Sequence, residues 1–459
     1  MRPVACPGAL DTVQPPDAWN GAAPSLVRTT LTNGLRVVLA ENHTVPLAFL
    51  SWTSEAGFDA DPPGLEGLAS LTPLLLREGT DHRSSRRITW ELDELGADLA
   101  AGADWNCAFL NLWLLSCDLA AGAELLLDMA CRPRFSHDAV ARLRQRQLAE
   151  IARRRRDPRS VANDAFAQAL FGDAAYGRSP LGTAATVTRI AAADVTGFHR
   201  THYRPETSVV VLAGSFDAAN AVHLLGSFEP PEAPCAAPSM LVPAGPPAEP
   251  SGGVRLVFLP HATQAEIRVG HAGVARDCEH MAALEVLSAI LGTGPASRLA
   301  RALRQREGLT YQVRSRFAAR RFGGIFVVET TVPANAAAGA VAGIRREIER
   351  LCDELVPPAD VDHARRRLFS VELRRFQDLV GTGATLGPEA LQDDPMLLLE
   401  RRRQAIDAVD PEGLREVARR CLRPGRLLAV VVGPADALRP QFSSGGPPAR
   451  RPVSARIGS

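Results

Sequence analysis

The chain has 459 residues, of which 46% are hydrophobic and 22% charged, and its formal net charge is +1. That length calls for more than one core, and a charge so near zero offers no global attraction to nucleic acid or to an anionic membrane surface. All of the basic residues are Arg; with Ala and Pro also abundant, this reads as codon bias in a GC-rich genome rather than as a functional choice.

In chain order, residues 1–25 predict a flexible N-terminal tail. They are punctuated by Pro3, Pro7, Pro15 and Pro16 and carry no apolar core of a signal peptide. Strands follow at 35–39 and 47–52. A helix runs from Gly67 to Glu78 and stops at Gly79, and a shorter one covers 90–95. A strand pair covers 98–101 and 108–116, and long helices cover 119–130 and 136–154. Arg204-Pro205 leads into a closing strand, Ser208–Gly214. Residues 229–252 hold Pro230, Pro231, Pro234, Pro238, Pro243, Pro246, Pro247 and Pro250, which predicts a semi-rigid, extended linker.

Beyond the linker the pattern returns. Strands are expected at 254–259 and 265–270, a helix at 282–291 before Gly292, and a shorter helix at 298–306. A strand pair at 311–317 and 323–331 and helices at 337–352 and 359–376 come next. Arg423-Pro424 then leads to the strand 427–433. Asp194 and Asp410 stand where helix N-caps are expected. Residues 437–459 predict a flexible C-terminal tail. A repeat of this length implies two homologous domains, at 26–228 and 253–436. Strand pairs alternating with long helices give an α+β fold of two sheet-plus-helices domains rather than a doubly wound parallel sheet.

None of the eight Cys forms a C-x-x-C pair, which argues against a zinc knuckle or a thioredoxin-like site and suits a reducing cytoplasm. No run approaches the roughly 18–20 apolar residues of a membrane-spanning helix. The expected location is the cytoplasm, with neither membrane nor nucleic acid as partner.

Four stretches carry a resemblance. They are Leu31-Thr32-Asn33-Gly34-Leu35-Arg36-Val37-Val38, Ala175-Tyr176-Gly177-Arg178-Ser179-Pro180-Leu181-Gly182-Thr183, Phe198-His199-Arg200-Thr201-His202-Tyr203-Arg204-Pro205, and Ser297-Arg298-Leu299 with Leu303 to Tyr311. In this order the chain resembles the pitrilysin/insulinase family of zinc peptidases, in its processing-peptidase branch, from about Val27 to Ala435. The resemblance implies two homologous halves forming half of a clamshell chamber around a peptide.

Active members of that family carry H-x-x-E-H on a helix: two zinc-binding His, a Glu that activates the bound water, and a later Glu as third ligand. The chemistry needs neutral imidazoles, an open coordination position and a carboxylate beside the water. Here Ser70 stands at the first His, Pro73 at the Glu and Leu74 at the second His. Glu150 matches the third-ligand position, 76 residues beyond Leu74, and is read as a remnant rather than a ligand. Pro73 also removes a helix hydrogen bond, at a cost of roughly 3 kcal/mol. The expectation is a degenerate zinc motif that binds no metal. No other His pattern supplies a substitute, and His199 and His202 are read as structural.

Arg304 and Tyr311, seven residues apart, match a pair that in complete family members reaches across the chamber toward the substrate carbonyl at the opposite half's zinc. A guanidinium and a phenol suit the negative charge that develops there. The plain alternative has Arg304 capping its helix and Tyr311 buried in a strand. The Arg-rich stretch 142–159 reads as a solvated helix face, with docking of an acidic partner as the other possibility.

The resemblance thus implies a subunit that is inactive alone, with zinc in a homologous partner carrying H-x-x-E-H and a peptide as substrate. It would be the substrate-binding or regulatory subunit of a metalloendopeptidase. The competing expectation is a peptide-binding or scaffold protein of the same fold with no peptidase activity. A third is an active enzyme with an unrecognised site.

Overall fold

The computed structural model describes residues 11–13, 26–226 and 252–443. The linker expectation at 229–252, Gly252 apart, and most of both tail expectations lie outside the described residues. The first half of the chain contains β1 (Asp11–Val13), β2 (Leu26–Thr30), β3 (Arg36–Glu41) and β4 (Leu47–Ser54), then helices α1 (Leu68–Leu75) and α2 (Ser85–Glu94). It continues with β5 (Asp98–Ala103), β6 (Ala108–Leu115), α3 (Leu119–Cys131), α4 (His137–Arg154), α5 (Pro158–Phe171), α6 (Ala184–Arg189) and α7 (Ala192–His202). It closes with β7 (Ser208–Gly214) and α8 (Ala218–Gly226).

The second half contains β8 (Gly253–Phe258), β9 (Gln264–Gly273), α9 (Met281–Gly292), a π-helical turn (Ala300–Arg306), β10 (Val313–Arg320) and β11 (Gly323–Pro333). The helices α10 (Ala337–Asp353), α11 (Pro358–Arg375), α12 (Leu379–Ala390), α13 (Pro395–Asp407) and α14 (Pro411–Cys421) follow. The half ends with β12 (Leu428–Gly433) and α15 (Ala435–Phe442).

Two sheets result. One has the order β1-β2-β3-β7-β4-β6-β5, the other β10-β11-β9-β12-β8. Five strands of the first correspond one for one to the second. The closing strand β7 lies parallel to β3 and antiparallel to β4, as β12 lies parallel to β8 and antiparallel to β9. Ser-Val-Val-Val-Leu-Ala-Gly and Leu-Ala-Val-Val-Val-Gly are buried at every position. This is why these runs show no alternation: β-branched residues fill both faces of a central strand. The α+β fold with two sheet-plus-helix layers is therefore what the chain adopts.

The described residues divide into two compact units. Of these, the first draws on 11–13, 26–151, 179–226 and 370–402, the second on 152–178, 252–369 and 403–443. Each unit thus holds a segment from the opposite half of the chain. In the first unit, α12 packs on β4 and β7. Gly383 and Gly387, one turn apart, permit the approach: a Cβ on Gly383 would lie 2.0 Å from the Phe49 ring, and one on Gly387 2.6 Å from the Thr53 hydroxyl. In the second unit, α5 lies on β9 and β12, and its Asn163 Oδ1 accepts a 2.8 Å hydrogen bond from the buried Arg268.

Three local expectations are corrected. Asp410 caps α14 by accepting from Gly413 N at 2.7 Å, but Asp194 is not an N-cap. It lies in the first turn of α7 and reaches back to accept from Ala191 N at 2.8 Å, because Ala191 at the cap has no side-chain acceptor of its own. The C-terminal tail does not begin at 437. Helix α15 runs to Phe442, with Leu438 fully buried and Gln441 Nε2 donating to Ala334 O at 2.7 Å. Finally, Asp11–Val13 within the N-terminal segment pairs antiparallel with β2.

Candidate functional site

Helix α1 carries the positions read as a degenerate zinc motif, Ser70, Pro73 and Leu74, and is firmly seated. Asp61, buried ahead of it, accepts from Gly67 N at 2.7 Å and from Ala69 N at 2.6 Å, satisfying orphan donors of the first turn. Gly67 has φ 99°, and a Cβ there would lie 2.4 Å from Leu181 O. Gln147 of α4 donates from Nε2 to Gly67 O and Leu181 O, both at 2.9 Å. Leu181, in the family stretch 175–183, is thereby fastened to the helix start. Leu68, Ala69, Leu71, Thr72 and Leu75 are buried beneath it.

The motif positions are occupied as follows. Ser70 Oγ donates to Pro180 O at 2.6 Å, so its hydroxyl serves the same fastening. Pro73 is buried within α1. The helix passes through it, while the last turn tightens: Leu76 N donates to Pro73 O, and residues 76–78 form a 3₁₀ turn. Leu74 points outward and is 40% exposed. Glu150 lies on α4, partly buried.

A hydroxyl committed to a carbonyl, a pyrrolidine ring and an isobutyl group give zinc no nitrogen or sulfur ligand. The residues present do not fit the metal. Among the described residues, no group of three or more His, Cys, Asp and Glu is placed to hold one. His199 is packed away, with Nε2 2.8 Å from Ala130 O, Phe135 edge-on and Tyr203 stacked against it. Burial pushes its pKa down to about 4. Burial likewise lowers the pKa of His202 and His271.

Arg304 and Tyr311 lie at and just beyond the π-helical turn. Glu307 N donates to Ala302 O at 3.1 Å, five residues back, and Leu309 N to Leu303 O at 2.8 Å, with Gly308 at φ 62° between them. Single π turns of this kind recur at functional sites. Arg304 is exposed, and its guanidinium carbon sits 5.0 Å from the centroid of the Tyr311 ring. Tyr311 is 84% exposed. The alternative of a buried strand tyrosine does not describe it. The contact is a cation–π pair that presents a guanidinium and a phenol hydroxyl together at the surface.

Part of the Arg-rich stretch is engaged, while Arg146, Arg155, Arg156 and Arg159 lie exposed. Arg142 pairs with Glu78, Arg144 donates to Ile190 O at 2.9 Å, and Arg154 lies 3.6 Å from Asp164. Sequence reasoning did not foresee the Asp61–Gln147–Ser70 fastening or the π turn. Both depend on contacts between residues distant in the chain, or on a helix register that sequence patterns do not encode.

Two family models match the chain: insulinase (peptidase family M16) over residues 36–184 and the peptidase M16 inactive domain over residues 189–368. An uncharacterised zinc protease of Streptomyces coelicolor is 28% identical over 415 residues, spanning 88% of this chain and 89% of that protein. A probable mitochondrial-processing peptidase subunit beta of Arabidopsis thaliana is 24% identical over 426 residues, spanning 91% of this chain and 80% of that one. A solved peptidase M16 inactive domain from Pseudomonas fluorescens shares the fold with a TM-score of 0.81 at 23% identity, covering 89% of this chain and 98% of that one.

Proposed function

The chain belongs to the insulinase family (peptidase family M16), and from that membership we propose that it is the non-catalytic subunit of a heterodimeric zinc peptidase. The observation that carries this reading is the pairing of a disabled motif with an exposed polar couple. Helix α1 keeps its cap and its seat while all three motif positions are non-ligating. Arg304 and Tyr311 stand together at the surface. The partner would be a homologous subunit with H-x-x-E-H and the third-ligand Glu. This chain would line part of the peptide chamber and supply Arg304 and Tyr311 in trans. Their N–H and O–H groups would donate to the scissile carbonyl oxygen as negative charge builds there.

The substrate class is a peptide or a precursor peptide under maturation. Leu74, exposed where a zinc ligand would stand, offers an apolar contact to such a chain. A scaffold role without a peptidase partner keeps the same surface but gives the Arg/Tyr couple no reacting carbonyl. Among the described residues, no helix is long and apolar enough to cross a membrane. Buried free thiols at Cys107, Cys131 and Cys352 support placing the chain in a reducing cytoplasm. The test is native co-purification from the source cell followed by reconstitution. Recovery of an H-x-x-E-H homologue, with peptide cleavage only when both chains are present, supports the subunit reading. Full activity of that homologue alone refutes it.

A further inference from the structure

Tyr311 is held at the surface by its neighbours rather than by its own packing. Thr310 is buried. Its Oγ1 lies 2.8 Å from Thr331 O, 2.9 Å from Thr330 Oγ1, 2.9 Å from Gln312 O and 3.1 Å from Gln312 N. The Thr330 hydroxyl also reaches Gln312 O at 2.9 Å. A hydroxyl has one proton to give and two lone pairs to fill. One assignment satisfies the cluster: Thr310 donates to Thr331 O while its oxygen accepts from Gln312 N–H and from the Thr330 hydroxyl. Thr310 is thus tied directly to β11, and Gln312 is tied to it through the Thr310 oxygen, immediately before the ladder begins at Val313 opposite Thr330. Thr310 is buried while Tyr311, at the bend between the two anchored residues, is directed out against Arg304.

We propose that Thr310 is the positioning residue of the Arg304/Tyr311 couple, its hydroxyl fixing the backbone on both sides of Tyr311. This rests on the reading of the couple as acting on a peptide in trans. Thr310 itself touches no substrate. Replacement by Val keeps the volume and strands Gln312 N–H, Thr331 C=O and the Thr330 hydroxyl without their shared partner. Replacement by Ser keeps the hydroxyl.

The chain has three tyrosines, Tyr176, Tyr203 and Tyr311, and the first two are buried. Full-length protein labelled with 3-fluorotyrosine therefore reports on Tyr311 by fluorine NMR, with Tyr311→Phe giving the assignment. Thr310→Val is expected to narrow the Tyr311 line and move it toward free 3-fluorotyrosine, leaving the Tyr176 and Tyr203 lines in place. Thr310→Ser is expected to restore it. In the reconstituted pair, Thr310→Val should lower kcat on the order of 10-fold to 100-fold with KM unchanged. An unmoved Tyr311 line in Thr310→Val overturns the proposal, as does a shift of all three lines together. If Thr310→Val does not fold, Thr330→Val removes the donor from the strand side and is judged by the same spectrum. A moved Tyr311 line with unchanged kcat upholds the positioning and removes the trans role of the couple.

Discussion

Replacing Arg304 by Ala separates structure from function by magnitude. Arg304 is exposed, and its contact with Tyr311 is a surface cation–π pair at 5.0 Å. Such a pair is worth about 0.5–1 kcal/mol. The substitution should therefore lower the melting temperature by no more than a few degrees, since roughly 1 kcal/mol moves a domain of this size by about 2–4 °C. If the guanidinium donates to the developing oxyanion, its loss should cost about 3–4 kcal/mol in the transition state, on the order of 10²–10³ in turnover. The assay is single-turnover cleavage of a fluorogenic peptide by the reconstituted heterodimer, beside thermal unfolding of the variant chain. Arg304→Ala and Tyr311→Phe should each lower turnover with zinc content and assembly intact. Unchanged turnover with both residues replaced would refute the reasoning. Loss of assembly with little change in the chemical step would assign the couple to structure.

Other consequences follow from the packing. Arg83 bonds to Glu91 at 2.8 Å, to Glu124 at 2.9 Å and to the fully buried Asp128 at 2.8 Å. Arg83→Ala leaves Asp128 with Thr80 as its remaining side-chain partner and should cost about 3 kcal/mol in chemical denaturation. Leu438→Ala in α15 should destabilise by about 3 kcal/mol; a near-zero effect would mean the tail does begin at 437. Burial holds the folded pKa of His199 at about 4 against an ordinary 6.5. The unfolded chain therefore takes up a proton that the folded one refuses. The stabilisation is complete above pH 6.5 and is lost as pH falls toward 4, by roughly 3 kcal/mol in all. His199→Gln should flatten that part of the stability–pH curve.

The fold was legible where burial imposes a pattern. The paired strand runs and the Val-rich closers β7 and β12 had to lie in sheet centres, and their repetition disclosed two like units. Helices α5 and α12 escaped notice because their seats are on sheets formed by distant sequence. The Gly383/Gly387 step that admits α12 is plain only once Phe49 and Thr53 stand beneath it. That Pro73 and Leu74 offer no ligand was readable residue by residue, since no arrangement turns either side chain into one. The side-chain direction of Tyr311 was not, because it follows from hydroxyls of Thr310 and Thr330, twenty residues apart, meeting at 2.9 Å.

Zinc analysis of the purified chain, alone and in complex with the proposed H-x-x-E-H partner, tests the central claim most directly. The account predicts no stoichiometric zinc and no peptidase activity in the isolated chain, with both appearing only when the partner is present. One tightly held zinc on the isolated chain, lost on Glu150→Ala, would contradict it.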